Sequence, residues 1–177
     1  MGCYVLDTTV LSNFSHVQRP DLVRAALGEQ AFTTPAVRAE LEAGMNIGLV
    51  APCDWDWLPL LTPDERMTVL AQQFLRVLDT GEAESLAAAV VRECVFLSDD
   101  LAARRLAASR GVRVSGTLGV LILLVKNAFL RRSWLALGPS PRKATAEAGR
   151  PGGGLQAAPN LKLLQRFAFY CSLCRVC

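Results

Sequence analysis

A single histidine in 177 residues argues against acid/base catalysis by imidazole, the usual physiological-pH proton carrier. Long apolar runs are also missing. The best candidate, Val120 to Leu130, is interrupted by Lys126 and Asn127 and followed by Arg131 and Arg132, short of the ~20 apolar residues a membrane span needs. It reads as a core helix, and no membrane is expected. The start shows no basic region, apolar core and cleavage site of a secretory signal. Met1-Gly2 resembles a myristoylation start, but position 6 is Leu where Ser or Thr is required. The cytoplasm is therefore the expected location. Strong charge bias is lacking too: a net charge of +3 and a pI near 8.6 are compatible with a polyanionic partner without demanding one. No internal repeat is visible. The six cysteines do not resemble the framework of a small secreted domain. Cys3, Cys53 and Cys94 stand singly in apolar surroundings, as buried free thiols would. Cys171, Cys174 and Cys177 lack a fourth ligand for zinc.

What the chain does have is an alternation of short apolar runs with helical patterns. Cys3–Leu6 reads as a buried strand and Thr9–Phe14 as a helix; Pro20 to Leu27 forms another, closed by Gly28. Ala31–Thr34 is a short strand. Pro35 opens a helix ended by Gly44, and residues 47–61 are a loop with room for one strand. Thr62-Pro63-Asp64-Glu65 reads as a capping box opening a helix to about Val77, and Thr80 opens one ending near Glu93. Cys94–Ser98 is a strand, Asp100–Arg110 a helix, Val112–Val114 a strand, and Thr117 leads a helix to about Leu130. Such alternation implies an α/β fold with helices covering a central parallel sheet. The Pro-, Gly- and Ala-rich stretch 138–160 reads as a linker, and 161–177 as an apolar, basic tail with room for a final helix.

The chemistry sits in acids at element boundaries. Asp7 closes the first strand and Asp99 and Asp100 close the third, which places them at the carboxyl edge of a parallel sheet, where such folds bind ligands. Glu40 shares a helix face with Val37 and Leu41, while Glu42 faces away. Glu82 and Glu84 open an alanine-rich helix. Carboxylates meeting in one cleft repel unless a cation neutralises them, and oxygen donors favour Mg²⁺ or Mn²⁺. Such an ion activates water and stabilises charge on a phosphodiester. A phosphohydrolase built on a strand-end Asp pair would want a second Asp at position 9, which is Thr.

The ordered series Val5-Leu6-Asp7-Thr8-Thr9-Val10-Leu11, Glu40, Gly81-Glu-Ala-Glu84-Ser-Leu-Ala, Leu97-Ser-Asp-Asp100 with Ala103 and Arg104, and Val114-Ser-Gly-Thr117-Leu-Gly-Val120-Leu121 resembles the PIN-domain family, most closely its VapC-like toxin branch. The resemblance spans about residues 3 to 130. It implies a three-layer α/β/α nuclease domain over residues 1–137. It also implies a Mg²⁺- or Mn²⁺-dependent endoribonuclease acting on RNA, with a cognate antitoxin as partner; a homodimer is compatible with it. By resemblance the catalytic and metal-binding acids are Asp7, Glu40, Glu84 and Asp100, with Thr9 in support and Asp99 and Glu82 as alternates. The tail has no counterpart in the pattern, so a catalytically impaired RNA- or protein-binding module is the alternative. Arg104, Arg105, Arg110 and Arg113, with Arg131 and Arg132, suit either a phosphate-binding face or a solvated one. Trp55 and Trp57 suit core contacts better than base stacking.

Overall fold

A computed structural model describes residues 2–137 of the chain, with side chains to residue 128. Four short parallel strands, β1 (Tyr4–Leu6), β2 (Ala31–Phe32), β3 (Val95–Leu97) and β4 (Val114–Ser115), form one sheet in the order β2-β1-β3-β4. Seven helices surround it among the described residues: α1 (Thr8–His16), α2 (Pro20–Leu27), α3 (Pro35–Asn46), α4 (Glu65–Phe74), α5 (Thr80–Val91), α6 (Leu101–Ser109) and α7 (Thr117–Leu137). No helix there is long and apolar enough to cross a membrane. The linker and tail expected over 138–177 lie outside the described residues.

The strand period of two divides the core. Leu6 and Leu97 face one way, joining α1, α2, α3 and α7 through Leu11, Phe14, Val23, Leu41 and Val120. Val5 and Phe96 face the other way, joining α4, α5 and α6 through Met67, Phe74, Leu86, Ala103 and Ala107. The result is the three-layer α/β/α arrangement that the alternation of elements implies. Trp55 closes the first layer. It is 2% exposed, and its Nε1–H donates to Ser15 Oγ at 2.9 Å; Trp57 packs beside it at 5.9 Å between ring centroids. Both tryptophans thus serve the core.

Several boundaries differ from the sequence reading, each for a local reason. Helix α3 runs through Gly44 to Asn46. Gly44 does not stop it: a Cβ there would press on Val50, and its carbonyl accepts the Leu49 and Val50 N–H groups. Asp64, not Thr62, caps α4, accepting Met67 N–H at 2.9 Å, and the helix ends at Phe74 rather than Val77. Residues 47–61 contribute only one bridge, Leu60 to Thr33. Strand β4 is Val114–Ser115, because Val112 is still held by Ala107 O at the end of α6.

The largest correction concerns the cysteines. Cys3 and Cys94 are not free thiols; they form a disulfide, with Cα atoms 4.7 Å apart. The cause is register: Tyr4 pairs with Val95, which sets the preceding residues of β1 and β3 opposite each other. Cys53 remains free and half-buried.

Candidate active site

The carboxyl ends of β1 and β3 meet at Asp7. The sheet bond from Asp7 N–H to Leu97 O holds it where the chain leaves β1 and turns into α1. Its side chain is fully buried and hydrogen-bonded at both oxygens. Oδ1 accepts Thr8 N–H at 2.8 Å; Oδ2 accepts the Thr9 hydroxyl at 3.0 Å and the Ser98 hydroxyl at 2.9 Å. These two hydroxyls also face the other strand. Thr9 Oγ1 accepts Asp99 N–H and Ser98 Oγ accepts Asp100 N–H, each at 3.1 Å. Asp7 is thereby tied to the peptides that set both later acids. Burial raises its pKa to about 6, against the hydrogen bonds that lower it, and Glu40 adds a smaller upward push.

Glu40 reaches the same corner from α3. Its Oε2 accepts the Thr8 hydroxyl at 2.7 Å and its Oε1 accepts Gly81 N–H at 2.6 Å. The second bond demands a bare backbone at position 81, because a Cβ there would collide with the Glu40 carboxylate.

On α5 the structure separates the two glutamates. Glu82 stands near Asp7 and Asp100: burial, then the charges of Asp7 and Asp100, raise its pKa to about 7. One of its oxygens accepts Asp79 N–H at 3.3 Å, so it also helps cap the helix. Glu84 lies about 200° further round the same helix. Its Oε1 accepts Ala36 N–H at 3.2 Å, in the first turn of α3, and it lines a groove with Met67, Thr68 and Ala71 of α4. The structure thus groups Glu82, rather than Glu84, with Asp7.

Asp99 and Asp100 are also distinguished. Asp99 holds α7: it accepts Thr117 N–H at 3.0 Å, the Thr117 hydroxyl, and Asn13 Nδ2–H at 3.0 Å. Asp100 caps α6, accepting Ala103 N–H at 2.8 Å through Oδ1, and its charge is felt at Glu82. Arg104, one of the candidate phosphate ligands, instead donates Nη1–H to Ser98 O at 2.8 Å and Ser115 O at 2.7 Å, bracing β3 to β4.

A family model for the PIN domain matches residues 3–136. The chain belongs to the PIN-domain family. PIN domains are generally nucleases, and the four-stranded parallel sheet with its flanking helices is consistent with the PIN fold. Among curated proteins no relative matched the chain. In this PIN domain Asp7, Glu40, Glu82 and Asp100 gather at one sheet edge, and among the described residues none of the four forms a salt bridge. Their oxygen donors fit a hard divalent cation. The side chains do not close a ready cage, since among the described residues no three acids, thiols or imidazoles are grouped tightly enough to hold an ion. Four residues of this corner escaped the sequence reading as site components: Thr8, Asn13, Gly81 and Ser98. Ser98 carried the clearest signal, a hydroxyl residue directly before two acids at a strand end.

Proposed function

We propose that this PIN domain is a Mg²⁺- or Mn²⁺-dependent endoribonuclease hydrolysing RNA phosphodiester bonds, and that it acts as the toxin of a toxin–antitoxin pair. The observation that supports the nuclease reading is the convergence of Asp7, Glu40, Glu82 and Asp100, none of which forms a salt bridge among the described residues. Two of them have pKa values raised by burial and mutual repulsion. A divalent ion bound there relieves that repulsion, activates water and offsets charge on the phosphodiester.

Within this reading the residues have separate tasks. Asp7, Glu82 and Asp100 would supply carboxylate oxygens to such an ion. Glu40, fixed at both oxygens by Thr8 and Gly81, sets its charge beside Asp7. Thr9 and Ser98 keep Asp7 oriented and ionisable by donating to it. Asp99 and Glu84 belong to the frame, holding α7 and α3. The toxin assignment and the antitoxin rest on the resemblance to the VapC-like branch.

The test is cleavage of a fluorophore-labelled RNA by purified full-length protein with Mn²⁺, Mg²⁺ or EDTA, alongside calorimetric titration with Mn²⁺. Metal-dependent cleavage that Asp7→Asn abolishes while the fold survives is the expected result. RNA binding that is indifferent to EDTA, with no cleavage and no Mn²⁺ uptake, sinks the enzyme reading in favour of a binding module.

A further inference from the structure

Between Thr117 and Val125 helix α7 carries no charged residue. One side of it faces the core: Val120 and Leu121 are buried, Leu124 packs against the same cluster, and Asn127 Nδ2–H donates to Ala26 O of α2 at 3.2 Å. The opposite side is bare. Leu118, Ile122 and Val125 are 70%, 48% and 50% exposed, and their spacing of four and three places them within about 60° of arc on one stripe. A helix that is apolar all round belongs in an interior, yet this one is covered on only one side among the described residues. The stripe starts beside the acidic corner, because Leu118 follows Thr117, whose N–H is held by Asp99.

We propose that the segment 161–173 of this same chain covers the α7 stripe. Position, reach and composition favour that occupant over a second copy or a separate protein. Helix α7 is the last described element, and 40 residues of sequence follow Leu137, so whatever comes next begins at the end of the stripe's own helix. The reach matches: Leu118 to Leu137 spans about 29 Å at a rise of about 1.5 Å per residue, and a Gly-rich coil the length of residues 138–160 spans about 26 Å r.m.s.. The composition matches as well. Leu161, Leu164, Phe167, Ala168 and Cys171 recur at helical spacing, with Lys162, Gln165 and Arg166 on the other side of that pattern. Tethering also raises the local concentration of the segment to about millimolar, well above that of a second copy at ordinary working concentrations. The tail then belongs to the packed domain rather than trailing from it, and it meets α7 along the helix whose start Asp99 holds.

The experiment uses the full-length chain carrying a photo-crosslinking residue on the stripe, Ile122→p-benzoylphenylalanine. A second full-length protein carries Val69→p-benzoylphenylalanine, at an exposed position on α4 in the opposite layer. Illumination at submicromolar protein, then gel separation and peptide mapping, should give a monomeric product joined from position 122 to residues 161–173, and far less of it from position 69. Adding Leu164→Glu with Phe167→Glu should cut the position-122 product roughly tenfold or more, because each large apolar side chain kept out of an interior is worth about a factor of ten. Should circular dichroism show that this variant does not fold, Phe167→Ala alone tests the same point with a smaller loss. Crosslinks between two chains from position 122, none to residues 161–173, or equal yields from positions 122 and 69 overturn the proposal. No outcome depends on nuclease activity.

Discussion

Replacing Asp7 by Asn tests the energetics of the site apart from its chemistry. Asp7 is fully buried, and its pKa is raised from 3.8 to about 6. A carboxyl with a raised folded pKa favours folding most at low pH. That advantage is fully present below about 4 and is lost as pH rises through 6. Two pKa units are worth about 3 kcal/mol, so at pH 7.5 the ionised carboxylate costs the metal-free fold about that much. Asparagine has no such charge, and its amide can meet Thr8 N–H with its oxygen and the Thr9 and Ser98 hydroxyls, turned to accept, with its NH₂. Metal-free Asp7→Asn should therefore be more stable than wild type at pH 7.5. The expected gain is about 1 to 3 kcal/mol after imperfect hydrogen bonding is allowed for, or several degrees in Tm. The gain should shrink toward zero near pH 4. Thermal and urea unfolding in EDTA at both pH values measures it. A variant destabilised at pH 7.5, or a difference that ignores pH, would show that Asp7 is not a desolvated charge held in reserve.

Three further outcomes follow from the same corner. Gly81→Ala should push the Glu40 carboxylate aside, costing about 1–3 kcal/mol by overpacking and weakening Mn²⁺ binding, read by unfolding and calorimetry; unchanged values in both would mean that the close approach is unimportant. Glu82→Gln should lower Mn²⁺ affinity and cleavage on the order of tenfold to a hundredfold, while Glu84→Gln, which can keep its bond to Ala36, should change either only a fewfold; the reverse order would return the site to Glu84. Mn²⁺ affinity should rise by roughly a hundredfold between pH 5.5 and 8 as Asp7 and Glu82 lose protons near pH 6 and 7, and a flat titration would exclude both as ligands.

The sheet and the position of Asp7 were legible in the sequence because they depend on local signals: an apolar run ending in an acid, repeated with helical segments between. Parallel strands put Asp7 and Ser98-Asp99-Asp100 on one edge without further information. Glu82 and Glu84 could not be separated that way. Gly81, Ala83, Ser85 and Leu86 to Ala89 are all buried, so α5 has apolar residues around much of its circumference and its hydrophobic pattern does not fix which glutamate faces the strands. The Cys3–Cys94 pair was hidden for a different reason. It depends on the register of two strands ninety residues apart, and a register is set by tertiary packing. Asp64 displaced Thr62 as a cap because both residue types suit that position, and only the observed helix start decides between them.

Asp99 and Asp100 are consecutive, yet each anchors a different helix: Asp99 takes the first residue of α7, and Asp100 takes the first turn of α6. One peptide at the end of β3 thus works as a fulcrum between two helical levers. The same peptide N–H is fixed by Ser98, which touches Asp7. A shift of the start of α7 would therefore reach the spacing of Asp100 and Asp7 through this pivot, without any contact at the acidic corner itself.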